Sequence, residues 1–407
     1  MTDTADSTEL AEFADDPAGH EALAATVRAW LAEQWDPQLE RSQWLGRVVE
    51  ARWAVPRWPV EWFGRAMSDA QARVIAAEFA RAGAYGTGQD RTNLWANTAL
   101  SFGTEEFKRQ FVPALLRQET SMCLLYSEPG AGSDLAGIRT SAVRDGDQWI
   151  VNGQKVWTSG AATADYGMLV ARTDWDVPKH RGISFFFCPM KQDGVEVRPL
   201  RQITDEAHFN EVFLTNAVIP GVNLLGEEND GWRVLQTALA YERSTMGENA
   251  RGPRRATGNG PVAASHEVDL IELARSAGCL DDPVIRQDIA RALALRSLNA
   301  LNTARAKAEL AQGTSSPIMS LGKLAMSRIL HEGARVQTAI LGAATLLEGA
   351  EHPAADDANF LTLNAYFTSI GGGTDQIQRN IIGERVLGLA KEPEIDREIP
   401  FRDVRRA

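Results

Sequence analysis

The sequence predicts a mainly helical protein with a β domain in its middle, and three observations support this fold class. Apolar residues recur at helical spacing up to about residue 121 and again after Gly231. Between about residues 122 and 225, short strand-like runs alternate with turn residues instead. The 407 residues suffice for several domains. We predict an acidic tail (1–20), an N-terminal helical domain (21–121), a middle β domain (122–228) and a C-terminal helical domain (229–407).

Capping residues predict where the N-terminal helices begin. A first helix is expected from about residue 21, where apolar residues recur at the spacing of one helix face. Ser68 can cap another helix over residues 70–82, which a glycine follows. Thr104 precedes Glu105 and Glu106, and acidic residues in a first turn interact favourably with the helix dipole. The segment that ends near residue 121 is therefore predicted to be all-helical.

Turn residues organise the predicted β domain. Asn152-Gly153 lies between residues 148–151 and 154–157, and both turn residues tolerate positive φ. We therefore predict a hairpin at Asn152-Gly153. Further strands are predicted at 167–171, 182–188, 195–199 and 211–214.

Helical spacing defines the C-terminal domain. Pro283 and Pro317 suit the first turns of two of its helices, because a first-turn residue needs no backbone N–H partner. The long helices are predicted at 232–243, 283–310, 317–347 and 375–389. The chain thus reads as helices, then strands, then helices.

Charge and cysteine content exclude several classes of protein. The net charge of −12 argues against a polyanion-binding surface, so no nucleic-acid partner is expected. The three cysteines are scattered, odd in number and match no metal-ligand spacing, which indicates reduced thiols, no metal site and a cytoplasmic protein. No apolar stretch is long enough to span a bilayer, and the acidic N-terminus does not resemble a signal peptide.

Three segments carry residue types suited to ligand binding, although each has a plainer interpretation. Residues 126–137 (YSEPGAGSDLAG) combine hydroxyls with glycines that let a backbone approach a ligand, or they only connect two domains. Residues 151–160 (VNGQKVWTSG) could stack Trp157 on a planar ring, or form an ordinary hairpin with a core tryptophan. Residues 371–380 (GGGTDQIQRN) open a helix after a glycine-rich turn, where free backbone N–H groups favour anions or polar ligand edges.

Together and in this order, the three segments resemble the acyl-CoA dehydrogenase family. The match runs from about residue 21 to residue 389 and is strongest at 127–137, 152–157 and 373–379. The resemblance implies an N-terminal helical domain, a β-barrel-like middle domain and a C-terminal four-helix bundle. It also implies an FAD cofactor that lies between the β domain and the bundle and is shared with a neighbouring subunit.

The resemblance transfers the family's ligand contacts to this chain by position. The implied FAD contacts are Tyr126, Ser127, Gly132, Trp157, Ser159, Thr374 and Gln376. Trp157 would lie beside the flavin ring with the Ser159 hydroxyl near N5, and Thr374 and Gln376 would contact the adenine-dinucleotide part across a subunit interface. Ser133 and Arg243 would help to hold the coenzyme A portion of an acyl-CoA substrate.

The chemistry implied by the family needs a base for the α-proton while the β-hydride goes to flavin N5. Many members carry this base as the glutamate of a Tyr-Glu-Gly-Thr motif, but Gly372 stands at that position here. Other members carry it on the first helix of the C-terminal domain, one residue before an arginine, which corresponds to Glu242 beside Arg243. We therefore expect Glu242 to be the base, against the plainer interpretation of a solvated helix carboxylate. Gly372 can still offer its backbone N–H to the thioester carbonyl.

A second departure from the family concerns FAD contacts from the neighbouring subunit. The family motif Arg-x-x-Phe-Gly corresponds to residues 274–279, where Arg275 either takes the place of the arginine or is a solvated helix cation. A glutamine of the third bundle helix is replaced by Ala339. Such loss is similar to heterotetrameric bacterial relatives that act on steroid side-chain CoA thioesters.

The sequence leaves three functions open. The leading one is dehydrogenation of an acyl-CoA by a homo-oligomer, or by a heterotetramer with a paralogous subunit, with an electron-transferring flavoprotein as the family's usual acceptor. The second is a non-catalytic partner subunit, which the Arg275 region favours and the presence of Ser127, Trp157 and Glu242 opposes. The third is other flavin chemistry, such as oxygen activation, against which the retained base and Arg243 argue.

Overall fold

A computed structural model describes residues 12–249, 256–257, 260–261, 268–311, 319–349 and 351–404 of the chain. Helices occupy the N-terminal part, a sheet the middle and helices again the C-terminal part. The predicted order of helices, strands and helices is therefore confirmed.

The N-terminal helices begin where their capping residues predict. The Ser68 hydroxyl accepts a hydrogen bond from Gln71 N, and the Gln71 side chain accepts one from Ser68 N, which forms a capping box. The Thr104 hydroxyl accepts from Phe107 N at 3.2 Å. The helices are α1 (Pro17–Gln34), α2 (Arg41–Glu50), α3 (Asp69–Arg81), α4 (Gln89–Thr92), α5 (Leu94–Phe102) and α6 (Glu105–Arg117).

The middle of the chain forms one eight-stranded sheet. Its strands are β1 (Met122–Leu125), β2 (Ser141–Asp145), β3 (Gln148–Ser159), β4 (Tyr166–Arg172), β5 (Ile183–Pro189), β6 (Val195–Leu200), β7 (Phe209–Pro220) and β8 (Leu224–Leu225). The order across the sheet is β6-β7-β3-β2-β4-β5-β8, and β1 pairs with β4 in parallel. The two long strands, β3 and β7, are antiparallel neighbours.

The predicted hairpin at Asn152-Gly153 is wrong, because β3 runs through both residues without turning. The hairpin lies earlier, between β2 and β3, where Gly146 has a φ of 63°. At Asn152 the pairing of β3 with β7 shifts register instead, and the Asn152 side chain accepts from Asn216 N at 2.8 Å. Thr215 and Asn216 of β7 both face Asn152, so the bulge lies on β7, where Asn216 has a φ of 53°.

Strands β4 and β5 are buried on both faces. Met168 of β4 and Phe185 of β5 belong to the core that the sheet shares with the N-terminal helices. Leu169 and Phe186, the next residue of each strand, belong to a second core inside the sheet. Because successive side chains of a strand point to opposite faces, these two strands carry both cores. The sheet curls round the second core, in keeping with the barrel-like domain predicted from the sequence.

The C-terminal helices are α7 (Gly231–Asn249), α8 (Leu270–Ser276), α9 (Pro283–Ala311), α10 (Met319–Leu341), α11 (Pro353–Ile370) and α12 (Asp375–Ile381). Helix α10 packs against both α9 and α11. The helix predicted over 317–347 is shorter, because α10 gives way to a 3-10 turn after Leu341, and Pro317 lies outside the described residues. The helix predicted over 375–389 is α12, which continues as a π-helical turn over Ile382–Val386, and α11 was not predicted.

The segment of residues 395–404, here called the C-terminal strap, returns to the β domain. Phe401 is 1% exposed, and its ring centroid lies 3.5 Å from the Arg172 guanidinium carbon. The backbone N–H groups of Phe401 and Arg402 donate to the carbonyls of Val177 (2.9 Å) and Trp175 (3.0 Å). The strap therefore closes one end of the β domain.

Within the described ranges, no helix has the length and apolar character that crossing a membrane requires. The same residues contain no cluster of potential metal ligands. Cys123, Cys188 and Cys279 are all unpaired, as the sequence predicted. Burial raises the pKa of the Cys123 and Cys188 thiols to about 12, so neither is a reactive thiolate.

The close approach of Thr140 to β3 predicts a strict need for glycine at position 153. A Cβ atom on Gly153 would lie 2.3 Å from Thr140 Oγ1 and 2.7 Å from Thr140 Cα. Overpacking of this kind costs about 1–3 kcal/mol, so Gly153→Ala should lower the free energy of unfolding in urea by that amount. Gly46→Ala in helix α2 is the control, because a Cβ there meets no atom within 4 Å and alanine favours a helix. Equal stability of Gly153→Ala and wild type would contradict the packing described.

Candidate active site

The first two ligand-binding segments predicted from the sequence lie side by side. The loop at residues 126–137 follows β1, and the second segment forms the end of β3. Val156 N donates to Ser127 O at 2.9 Å, so the loop continues the hydrogen bonding of the strand. Ser127 and the end of β3 therefore share one edge of the β domain.

A bulge directs Trp157 out of the β domain. Val156 and Trp157 face only Glu211 on β7, so β3 carries one extra residue there. Trp157 has a φ of 62°, a left-handed conformation that costs a residue of this size about 1–3 kcal/mol. Its side chain is 56% exposed, whereas Thr158 beside it is buried. Strain of this kind clusters at functional sites, and here it presents a large aromatic face on the surface.

Asn210 and Phe209 hold this bulge and connect it to the bundle. The Asn210 amide is buried and donates to Thr158 O at 3.0 Å. The Phe209 ring packs edge-on against Trp157, with centroids 6.0 Å apart. Phe209 also contacts Phe367 of α11 at 5.6 Å. Phe367 precedes the third predicted segment by one helical turn, so the three segments converge on one region.

A buried ion pair joins the loop to the strand. Lys155 is fully buried, and its Nζ donates to Glu128 Oε1 at 2.8 Å and to Tyr126 O at 3.0 Å. Glu128 also accepts from the N–H groups of Arg139 (2.6 Å) and Thr140 (2.9 Å). Burial lowers the pKa of Lys155 to about 8, against the opposing effect of Glu128. Burial acts to raise the pKa of Glu128, but Lys155 and the hydrogen bonds outweigh it and hold that pKa below its ordinary value.

A second cation anchors the far end of the loop. The Arg172 side chain, which is buried, donates to the carbonyls of Ala136 (2.7 Å) and Ile138 (3.1 Å). Lys179 pairs with Asp134 at 3.0 Å and with Asp396 of the C-terminal strap at 3.6 Å. Between these anchors the loop reaches solvent, and Gly132 and Ser133 are exposed there.

The third segment forms a tight turn between α11 and α12. Gly372 and Gly373 have φ values of 64° and 86°, in the region that favours glycine. Thr374 caps α12 by accepting from Ile377 N at 3.2 Å, and Gln376 is exposed in the first turn. Gly372 is exposed too, and its neighbour Gly371 lies against the Phe367 ring, where a Cβ would come within 3.0 Å of Phe367 Cε2.

Other residues expected at the site lie at different depths. The Tyr126 side chain packs in the N-terminal core with its hydroxyl 3.9 Å from Met168 Sδ, and only its backbone reaches the Lys155 ammonium. Ser159 is exposed at the end of β3. Arg275 is exposed on α8 and pairs with Glu272 one turn earlier, and Ala339 is exposed on α10.

Glu242 and Arg243 have backbones in helix α7, but their side chains lie outside the described residues. The preceding part of α7 is anchored firmly. Val234, Leu235 and Ala238 are buried in the core shared by the N-terminal helices and the sheet. Position 242 follows directly from this anchored part of the helix.

Four residues that hold the site in place were given no role from the sequence: Lys155, Glu128, Phe209 and Arg172. Lys155 and Glu128 stood within the quoted motifs, and a lysine between the strand residues Gln154 and Val156 was a usable sign of a buried partner. Phe209 stood beside Asn210, just before the strand predicted at 211–214, without further sign of its role. The sequence does not mark Arg172, because its partners are backbone carbonyls, two of them 34 and 36 positions earlier and one 7 positions later.

The fold and the site define a class of protein: helices flank a middle sheet, and an exposed tryptophan is connected through Phe209 and Phe367 to the helix that ends at a glycine turn. Models of the acyl-CoA dehydrogenase N-terminal, middle and C-terminal domains match residues 17–119, 123–217 and 229–387. The chain belongs to the acyl-CoA dehydrogenase family, and it is an oxidoreductase. This confirms the resemblance found in the sequence.

Individual relatives agree with this assignment. The chain is 36% identical over 407 residues to acyl-CoA dehydrogenase IpdE1 of Mycobacterium tuberculosis, which covers 91% of this chain and 98% of that protein. It is 39% identical over 344 residues to acyl-CoA dehydrogenase FadE34 of the same organism, over 83% of this chain and 44% of that protein.

Solved structures include two similar assemblies. A chain of the Tcur3481-Tcur3483 steroid ACAD superimposes with a TM-score of 0.67 at 27% identity, covering 93% of this chain and 99% of that one. A chain of the ChsE4-ChsE5 complex from Mycobacterium tuberculosis gives a TM-score of 0.63 at 27% identity, over 94% of this chain and all of that one.

The buried pair predicts a large loss of stability when Lys155 is replaced. Lys155→Met leaves Glu128 buried without its cation, and breaking a buried pair costs about 3–5 kcal/mol. Lys191→Met is the control, because Lys191 pairs with Asp165 at the surface and exposed pairs contribute about 0–1 kcal/mol. Urea denaturation should therefore separate the two variants clearly. Similar losses in both would show that Lys155 does not hold the loop to the strand.

Proposed function

We propose that this chain removes hydrogen from the Cα–Cβ bond of an acyl-CoA thioester, with FAD as hydride acceptor and Glu242 as base. One observation carries the proposal. The strained, exposed Trp157 lies on the β domain beside Ser127 and Ser159, and Phe209 and Phe367 connect it to the glycine turn of the bundle. Family membership supports the reaction class.

The side chains around Trp157 fit a flavin. An exposed indole face suits stacking against a flat ring system, and the hydroxyls of Ser127 and Ser159 can bond its polar edge. Thr374 and Gln376, at the start of α12, suit the adenine-dinucleotide part, because a helix N-terminus favours phosphate oxygens. When bound, FAD supplies the acceptor for the β-hydride. The chain itself positions the substrate and removes the α-proton.

Glu242 is the proposed base. Gly372, where many family members carry the glutamate, has a φ of 64°, so any side chain there would be strained. A carboxylate must therefore come from elsewhere, and Glu242 follows the anchored part of α7. In a water-poor site, the pKa of a carboxylate rises toward the working pH, which suits proton abstraction.

The thioester carbonyl is proposed to accept a hydrogen bond from Gly372 N–H. Proton removal at Cα develops negative charge on this oxygen, and a fixed donor there stabilises the enolate. Ser133, exposed on the anchored loop, and Arg243 are proposed to hold the coenzyme A portion. Binding through this remote portion fixes the reacting carbons relative to the base.

The acyl group is proposed to be bulky, of the steroid-derived class. The turn that borders the site begins with three glycines and adds no side-chain volume there. A similar structure is described as a steroid ACAD, which supports this substrate class. An electron-transferring flavoprotein is the proposed acceptor of the electrons.

The chain is proposed to act in an oligomer, with a second copy or with a paralogous subunit. Apolar side chains exposed on the C-terminal helices and after them include Leu298, Leu301, Tyr366, Ile370, Leu387 and Leu389. Such a concentration of exposed apolar surface is typical of subunit interfaces. Two similar structures are complexes of unlike chains, which supports the heteromeric form.

A non-catalytic partner subunit is the second candidate, and one observation favours it. Arg275 pairs with Glu272 on its own helix, and the family glutamine is replaced by the small, exposed Ala339. Both changes weaken the contacts that a neighbouring subunit would make to FAD. The presence of Trp157, Ser127 and Glu242 favours a catalytic chain instead.

Cofactor content separates the two candidates. The chain, purified alone and with a co-expressed paralogous subunit, should bind FAD and show the yellow flavin spectrum. Anaerobic addition of a steroid side-chain acyl-CoA should bleach that spectrum in at least one of the two preparations. Trp157→Ala in the same preparation should lower the FAD content. No flavin in either preparation under FAD excess would exclude a catalytic role.

Replacement of the base tests the chemistry directly. Glu242→Gln keeps the shape but cannot accept the α-proton, and a positioned base contributes about a hundred- to ten-thousand-fold. The rate of flavin reduction, followed by stopped-flow absorbance, should fall by about that factor, while FAD content and thioester affinity change little. Glu248→Gln, six residues further along α7, is the matched control and should remain active. Reduction of the Glu242→Gln flavin at the wild-type rate would place the base elsewhere.

A further inference from the structure

The three glycines of the turn at residues 371–374 have no side chains that could fix its shape, and the Thr374 side chain caps α12. Glycine populates both signs of φ about equally, and Gly372 and Gly373 both use the positive sign. Gln378 Nε2 donates a long hydrogen bond of 3.3 Å to Gly372 O. The direction of the Gly372 N–H therefore depends largely on the two helices that meet at the turn, α11 and α12.

Helix α10 contacts both of these helices through one buried hydroxyl. Ser327 is 1% exposed, and its Oγ donates to Asp375 Oδ2 at 2.8 Å. The same oxygen lies 3.0 Å from Ser369 Oγ. Ser369 belongs to the last turn of α11, and Asp375 is the first residue of α12. A single side chain thus connects the residues on either side of the glycine turn.

Two further residues of α10 extend this connection. Lys323 and His331 lie four positions before and after Ser327, so all three share one face of the helix. Lys323 Nζ donates to Thr368 O and lies 3.7 Å from Asp375 Oδ1. His331 Nε2 lies 2.5 Å from Ser369 Oγ. These contacts form a row from His331 through both serines to the carboxylate, in which the one Ser369 proton is shared between Ser327 and the Ala365 carbonyl, 3.2 Å away.

We propose that Ser327 is a positioning residue for the reaction, which sets the glycine turn through Ser369 and Asp375 so that Gly372 N–H points at the thioester carbonyl. The inference rests on the proposed function, in which this N–H stabilises the enolate. Ser327 touches neither substrate nor flavin in this scheme and acts only through the turn. A donor to developing charge must be held in place, and a misplacement of about 1 Å can cost about a hundredfold in rate.

Two single variants and the double variant test the hydrogen-bonded row of His331, Ser369, Ser327 and Asp375. Ser327→Ala removes the donor to Asp375, and Ser369→Ala removes the contact on the other side of the turn. Each should slow flavin reduction at saturating thioester by about ten- to a hundredfold, while KM and FAD content change little. Residues that act as a unit are not additive, so the double variant should be no slower than the slower single variant. Anaerobic stopped-flow absorbance measures all three rates.

Thr338→Ala is the matched control on the same helix, because the Thr338 hydroxyl donates to Ala334 O of its own helix at 3.0 Å. It should keep the wild-type rate. Wild-type reduction rates in Ser327→Ala, or losses that multiply in the double variant, would overturn the inference and leave the proposed function intact. If Ser327→Ala yields no folded protein, Ser369→Ala decides by the same criterion. A wild-type flavin that no thioester bleaches would overturn the proposed function, and the inference with it.

Discussion

The site depends on the buried ion pair between the Lys155 ammonium and the Glu128 carboxylate. The ammonium is surrounded by Glu128 and the Tyr126 carbonyl, and Glu128 in turn orders two backbone N–H groups beyond the loop. Without this cation the carboxylate of Glu128 would be buried and uncompensated, which is among the costliest defects in a protein interior. The loop at residues 126–137 and the end of β3 thus form one rigid edge because a charge lies between them. Ser127 and Trp157, which border the proposed flavin position, lie in the two segments that this pair joins.

The end of β3 beyond Lys155 is held by strain and aromatic contact rather than by charge. The bulge holds Trp157 in a left-handed conformation, and the Asn210 amide compensates by bonding the neighbouring carbonyl. Phe209 then transmits the position of the bulge to Phe367, one turn before the glycines of the bundle. Two domains of different architecture are aligned by these few contacts. A bulge re-aims one side chain without disturbing the rest of the strand, which suits this role.

Features that depend on neighbouring residues were predicted correctly from the sequence. Features that depend on residues far apart in the chain were not. Ser68 and Thr104 cap helices through bonds three residues away, so their patterns were sufficient. Asn152-Gly153 was wrongly assigned to a turn, because the glycine is needed there for the close approach of Thr140. Helix α11 escaped prediction, because apolar residues are spread over several of its faces. The family motifs located the flavin and glycine segments, but the contact between them through Phe209 and Phe367 depends on tertiary packing. The place of the Glu242 carboxylate stays a prediction.

The packing of Phe401 on Arg172 can form only late during synthesis, because the two residues are far apart in the chain. A ribosome releases residues from the N-terminus onward, at about 5–20 residues per second. The strands of the β domain therefore emerge well before the strap that covers Arg172. Until residue 401 has left the exit tunnel, that guanidinium has its carbonyl partners but no aromatic cover. The aromatic cover of Arg172 is thus added to the β domain after the strands that it protects have emerged.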